Sequence, residues 1–403
     1  MLADQNITDA IRESEAFVEN WRKGGKSLID LISIIRNRLW VLFHSVEDES
    51  IVYRVFEVLN SRGLDVSWID KLKSQLMGLA YETGEAAGRD QAVKELRHIW
   101  QKIYRTIGKR KHLTAETLRF AGTLCPGADP SESPRSRPVS EEASVQRLVK
   151  YAGKSAKTIV DCAKWLQRVV EAEDRLLSNH RRRAVTEIVQ ARLVAIAVFL
   201  REFSSSDRET ILDRWERISF RIYGLSRKDA RTAVGDYTRL AWRIINEKLS
   251  IDDILLSLSQ IGELYPVSEF DTSNCYEGWT EELRYLLYRY EEHLAEKAGE
   301  KLNEHQWNKI WGVESAKSVE HIKPQSSGVR YVHHLGNLMM LPPGINSKLK
   351  DKDPADKADT YRTCGLLDAI EVAKRITEGN WDEEAVNKRT QEIKAWIQDQ
   401  WKN

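Results

Sequence analysis

The 403-residue chain has little of what announces a compartment or a bound cofactor. Its four cysteines, Cys125, Cys162, Cys275 and Cys364, stand far apart without CxxC or CxxH pairing, which argues against a structural zinc and against a disulfide framework. They fit the reduced thiols of a cytoplasmic protein. Long apolar runs are missing too. The longest, Leu193 to Leu200, is far short of the roughly 20 residues that a bilayer span needs, so no membrane partner is expected. The first residues lack the basic-then-apolar order of a secretory signal. A formal net charge of +1, from 62 basic and 61 acidic residues, excludes bulk attraction to nucleic acid, so any phosphate binding must be local. Alternating β-branched runs are nearly absent before residue 315, which leaves helix as the expected element there.

What is present reads as amphipathic helix. Hydrophobic residues make up 41% and charged residues 31%, and the length exceeds what one core supports, so two or three domains are expected. Ile11, Phe17, Val18 and Trp21, then Leu28, Leu31, Ile34, Ile35 and Leu39, recur at helical spacing. Asn60-Ser61-Arg62-Gly63 reads as a turn, and Ser67 with Asp70 opens a helix from Trp68 to about Ala80. Residues 126–142 hold four of the nine prolines and form the clearest linker. Helices are predicted over about 143–177, 180–203, 207–224, 227–248 and Glu281 to Lys297, with a last one capped by Asp382 and running to about Trp401. The expected architecture is a mainly α, multi-domain protein with a helical region over 1–125, a linker over 126–142, a helical middle domain over 143–262, and a last domain over 263–403.

That last domain carries the chemistry. Residues 318–350 read as a short strand, a loop containing Gly328, a second short apolar stretch from Leu338 to Leu341, and a helix from about Ile345. Such a ββα order can gather a carboxylate, an imidazole and an amide. Phosphodiester hydrolysis needs a base for water and a cation for the charge on phosphate and leaving oxygen. His321 has the side chain for the first task, since a pKa near 6.5 leaves much of an imidazole neutral at pH 7. Glu320 and Asn346 supply the oxygen donors that magnesium or manganese prefers.

Glu320-His321-Ile322-Lys323-Pro324-Gln325, then Gly336-Asn337-Leu338, then Asn346-Ser347-Lys348, resembles the HNH (ββα-metal) nuclease superfamily, and in particular the nuclease half of the GmrSD-type modification-dependent restriction enzymes. Leu286 to Glu291 before this set, and Trp381 to Ala385 with Lys388-Arg389 after it, resemble that family's surrounding helices, so the likeness covers about residues 280–403. It implies a metal-dependent endonuclease acting on DNA, phage or modified DNA included, in restriction or anti-phage defence. His321 matches the general base, Glu320 and Asn346 the ligands of one Mg2+ or Mn2+, and Asn337 the amide that fixes the base-bearing loop. Other HNH proteins carry CxxC pairs for a structural zinc, and Leu341-Pro342-Pro343-Gly344 stands where one pair would fall, so no zinc is expected.

Upstream, Phe56 to Gly63 with Asp70 and Lys73 resembles the end of the family's nucleotide-hydrolysing sensor half. The Asp-Gly-Gln-Gln-Arg motif that opens that half is absent. Either the sequence is a piece of a longer protein or this member has lost the sensor core, and NTP hydrolysis is not carried over. A missing N-terminal NTPase domain or a separate sensor subunit is the implied partner. The second expectation is a decayed nuclease module that binds DNA as an effector and recruits such a sensor.

Several residues read two ways. Lys323, Arg330, Lys348 and Lys350 form a positive rim for DNA phosphates, or are ordinary surface lysines and an arginine. His333 and His334 are ambiguous between phosphate contact and a structural place beside Tyr331, and His334 is assigned to DNA. His180-Arg181-Arg182-Arg183 reads as a solvated helix start before it reads as a DNA contact. Of the 13 tryptophans, Trp215, Trp242, Trp307 and Trp396 fall on apolar helix faces, so core packing is read before base stacking.

Overall fold

The computed structural model describes residues 5–40, 66–83, 86–110, 113–134, 136–185, 188–267 and 270–402. The turn and sensor-like segment expected from Phe56 to Gly63 lie outside the described residues. Among these residues the protein is mainly α, and its strands form one two-stranded sheet. No described helix is long and apolar enough to cross a membrane. The chain divides into two compact units: Met1–Arg175 with Ile196–Glu202 and Ala241–Lys248, and Leu176–Ala195 with Phe203–Leu240 and Leu249–Asn403.

In the first unit, helices Trp68–Tyr81, Ala86–Ile107, Leu113–Thr123 and Glu141–Ala152 bury Leu76, Trp100, Leu118 and Leu148. The Ser67 hydroxyl accepts the Asp70 N–H at 3.4 Å, the cap expected from sequence. The long helix expected over 143–177 is interrupted. It ends at Ala152, where Gly153 takes a positive φ of 58°, and restarts as Ala156–Ser178. The proline-rich segment is a loop between two packed helices of this unit. The Thr123 hydroxyl accepts the Val139 N–H at 3.0 Å, and Pro134 and Pro138 are buried. The first two helices, Gln5–Lys23 and Leu28–Arg38, form as their spacing suggests, yet Ile11, Phe17, Ile32 and Ile35 all stay exposed.

In the second unit, helix Ser205–Ser219 passes directly into a π-helical turn, Phe220–Leu225, and helices Ile251–Glu263, Glu281–Ala298, Leu367–Glu378 and Glu383–Gln400 follow. In the arginine run after His180, Arg181 and Arg182 are turned to carboxylates and not to solvent. Arg181 meets Asp213 at 2.9 Å and Glu216 at 3.2 Å, and Arg182 meets Glu209 at 2.5 Å. Burial of the helix they start, together with carboxylates on Ser205–Ser219, turns the run inward.

One apolar cluster runs from Phe220 and Tyr285 through Leu338 and Ile393 to Trp401, and the sheet sits within it. Strand β1 (Val319–His321) pairs antiparallel with strand β2 (Leu338–Met340), His321 opposite Leu338. Helix Pro343–Leu349 follows, completing a ββα order. Helix Glu383–Gln400, capped by Asp382, clamps the chain just before β2: buried Arg389 donates to the Gly336 and Leu338 carbonyls at 2.8 and 2.9 Å and forks onto Asp368. Gly336 is needed there, because a Cβ would fall 2.1 Å from the Val386 carbonyl oxygen. Gly336→Ala is therefore expected to destabilise the protein by about 1–3 kcal/mol through overpacking. Urea denaturation showing unchanged stability would mean that the clamp gives way freely.

Candidate functional site

The site is built on β1 and the loop that follows it. Side chains of neighbouring strand residues project to opposite faces, so Glu320 and His321 part company at the backbone. Glu320 turns to the helix Pro354–Thr363. Its Oε1 accepts from the Lys357 ammonium at 2.8 Å and from the Tyr361 hydroxyl at 2.6 Å, and all three side chains are buried. Lys357 and Tyr361 are one helical turn apart, which puts both on the face that meets Glu320. The same ammonium donates to the His321 carbonyl at 2.7 Å and the Ile322 carbonyl at 3.3 Å. Burial pushes the Glu320 carboxyl up from its usual range, and Lys357 and Tyr361 oppose that shift.

His321 faces a different set of partners. Its Nε2 lies 3.1 Å from His333 Nδ1, and its Nδ1 lies 3.1 Å from Gln325 Nε2. The Tyr276 ring meets the His321 ring edge-on at 4.5 Å and stacks on His333 at 5.2 Å. Burial, then the His333 ring and the Lys357 charge, pushes the imidazole down to about 3, so it is neutral at physiological pH. The His333 carbonyl accepts the Cys275 N–H at 3.0 Å, which ties this loop to the short helix that carries Tyr276.

Asn337 is fully buried, and its amide is saturated. Oδ1 accepts from the Lys323 N–H at 2.8 Å and the Trp381 indole at 3.1 Å, while Nδ2 donates to the Lys323 and Val332 carbonyls at 3.0 and 2.8 Å. It holds the loop from 323 to 332 and meets no open surface, so it acts by positioning. Asn346, on the helix after β2, donates its Nδ2 to the Lys317 and Val319 carbonyls, both at 3.1 Å. That orientation leaves its amide oxygen as an acceptor.

These residues fit a hard divalent cation only in part. Asn346 offers an oxygen and the histidines offer nitrogens, but Glu320, expected as a ligand, is held by Lys357 and Tyr361 on the other face of the strand. Among the described residues no group of three or more His, Cys, Asp and Glu side chains gathers as a metal cluster. The rim is mixed. Lys323 reaches Asp353 at 3.4 Å, and Arg330 forks onto Glu383 at 2.9–3.1 Å. His334 is half-buried, and Lys348 and Lys350 are exposed. Sequence reasoning gave no role to Gln325, Tyr276, Lys357 or Tyr361. Only the last two carried a signal, the Lys-x-x-x-Tyr spacing on a helix opened by Asp353-Pro354.

Residues 268–396, about a third of the chain, match the family model described as the C-terminal domain of GmrSD restriction endonucleases. No curated protein matches the chain.

Two measurements check this geometry. Lys357→Met leaves a carboxylate buried without its cation, so a loss of about 3–5 kcal/mol is expected, part of it regained when Glu320→Gln is added. A single variant as stable as the parent would show that the pair is idle. The His321 imidazole titrates in the folded protein far below the usual value near 6.5. Protons therefore bind the unfolded chain first, and stability is intact above about pH 6.5 and falls as the pH drops toward 3. His321→Asn is expected to lose roughly 2 kcal/mol less than the parent between pH 7 and pH 4.5. Parallel losses in the two proteins would contradict the assigned burial.

Proposed function

We propose that the domain is a metal-dependent HNH endonuclease that hydrolyses DNA phosphodiester bonds in restriction or anti-phage defence. The observation that carries this reading is the neutral His321 imidazole, fixed at the end of β1 between Gln325 and His333. Its proton positions are assigned from the hydrogen-bond network. With the Gln325 amide nitrogen donating to Nδ1, the His321 proton sits on Nε2 and is donated to His333 Nδ1. The lone pair used for chemistry is then on Nδ1. Gln325 is exposed and is the replaceable partner: a water in its place gives its proton to Nδ1 as its oxygen attacks phosphorus. The bond from phosphorus to the leaving oxygen breaks, and a second water returns a proton to that oxygen.

Magnesium or manganese is the proposed cofactor, with the Asn346 amide oxygen as the donor that these tautomers leave open, and it would supply positive charge to the phosphate. Glu320 keeps its bond to Lys357 and acts by holding the strand. Lys348 and Lys350 are the proposed phosphate contacts on the rim. Lys323, Arg330 and His334 join them where DNA phosphates displace Asp353 and Glu383 from the two cations. A sensor subunit or further domain is the proposed partner, and the cytoplasm the proposed compartment.

The near-complete burial of His321, with both ring nitrogens engaged, favours one second reading, an effector module that binds DNA without turning it over. Supercoiled plasmid with magnesium, manganese or EDTA separates the two. Metal-dependent nicking or linearisation that falls by at least about 100-fold in His321→Ala is expected, the scale of a lost general base. Undiminished cutting by the variant removes the base assignment, and EDTA-insensitive binding without cleavage by the parent selects the effector.

A further inference from the structure

The second unit holds a cleft of about 650 Å³ that shares no lining residue with the His321 cluster. One wall is the helix Ser205–Ser219 and its π-helical continuation, the second is Ile251–Glu263, and the third is the end of the last helix. Arg214, Arg217 and Arg221 follow the spacing i, i+3, i+7, and all three line the cleft. From first to last they extend over about 10 Å at 1.5 Å per residue, or about three base steps of one DNA strand.

The bonds of Arg214 and Arg217 leave their guanidinium charges largely uncommitted. Arg214 donates to the Ser259 hydroxyl at 3.1 Å, and Arg217 reaches the Gln400 carbonyl at 3.5 Å. Neither forms an ion pair among the described residues. Arg221 is buried and held from two sides, by the Tyr265 carbonyl and, at 3.3 Å, by the Trp401 carbonyl. Exposed Lys402 adds a fourth cation. Two carboxylates share the cleft, and each faces a cation. Asp213 is turned to Arg181 at 2.9 Å, while Glu263 acts on Arg221. Arg214, Arg217 and Lys402 are left to face the opening. Guanidinium groups in a fixed fork match phosphate oxygens in both geometry and charge.

We propose that this cleft is a second anion site, which takes phosphate-bearing ligands: a stretch of nucleic-acid backbone, or a small free phosphate compound. It goes beyond the nuclease reading and requires no cleavage. The elongated row of arginines favours the backbone of a bound duplex, held away from the point where it is cut.

Binding of a short fluorescein-labelled DNA duplex is read by anisotropy in EDTA over a salt series, and binding of sodium tripolyphosphate by calorimetry. Both are run on the full chain and on the double variant Arg214→Gln, Arg217→Gln, whose two replaced side chains are exposed and whose fold is checked by circular dichroism. Roughly tenfold weaker duplex binding, with a salt slope shallower by about two, supports the proposal and names the backbone as ligand. A comparable loss confined to tripolyphosphate supports it and names a small phosphate compound. Equal affinities of parent and variant for both probes, or no binding of either by the parent, overturn it. Binding is read without turnover, so this failure is separate from failure of the His321→Ala cleavage assay.

Discussion

A lysine ammonium sealed from water has three protons to place, and each must find an acceptor. Lys357 places them on the Glu320 carboxylate and on the carbonyls of His321 and Ile322. The last two belong to the backbone that carries the catalytic candidate, so one buried cation sets the path of the chain at the end of β1. Glu320 is the counter-charge that makes the burial tolerable, and Tyr361 completes it. Neither partner could be removed alone without leaving the other as an unpaired polar group in the core. The side chain at 321 then points where the strand pleat directs it, toward Gln325, His333 and Tyr276.

The neutrality of that imidazole follows from the same enclosure. A ring shut among aromatic and apolar neighbours, with a lysine charge behind it, gains nothing from a proton. Its hydrogen bonds run to an amide and to a second ring, neither of them an anion that would favour the charged form. The surrounding clamp is polar as well. Arg389 and Asn337 satisfy backbone carbonyls that face away from any ladder, which is why a loop of so little regular structure holds its shape inside an apolar cluster.

Much of this was legible. Helical spacing indicated a mainly α chain, and the order Glu-His, Gly-Asn-Leu, Asn-x-Lys located the strands and helix of the ββα unit. What escaped was direction and partnership. Glu320 and His321 are adjacent in sequence and were placed around one ion, although strand geometry alone sends them apart. The partner that claims Glu320 lies 37 positions on, and a Lys-x-x-x-Tyr pair on a charged helix resembles many surface helices. Periodicity is equally blind to a single residue such as Gly153, which ends a helix through its backbone angle. The arginines after His180 and those on helix Ser205–Ser219 look alike in sequence. Arg181 and Arg182 are neutralised by carboxylates and, among the described residues, Arg214 and Arg217 are not, because only burial and register decide which cation meets an acid.

The amide of Asn337 carries a consequence for how this part of the chain can vary. It presents two donors to two carbonyls and one oxygen to two N–H groups, in a fully buried place. An aspartate there would set oxygen against oxygen on one side, a leucine would strand four backbone and indole groups, and a glutamine would carry its amide one methylene beyond those four partners. Position 337 is thus closed to drift by geometry, whether or not the neighbouring histidine ever touches a phosphate. A descendant that lost its chemistry would still be expected to keep this asparagine, as a fossil of the loop's shape rather than of its activity.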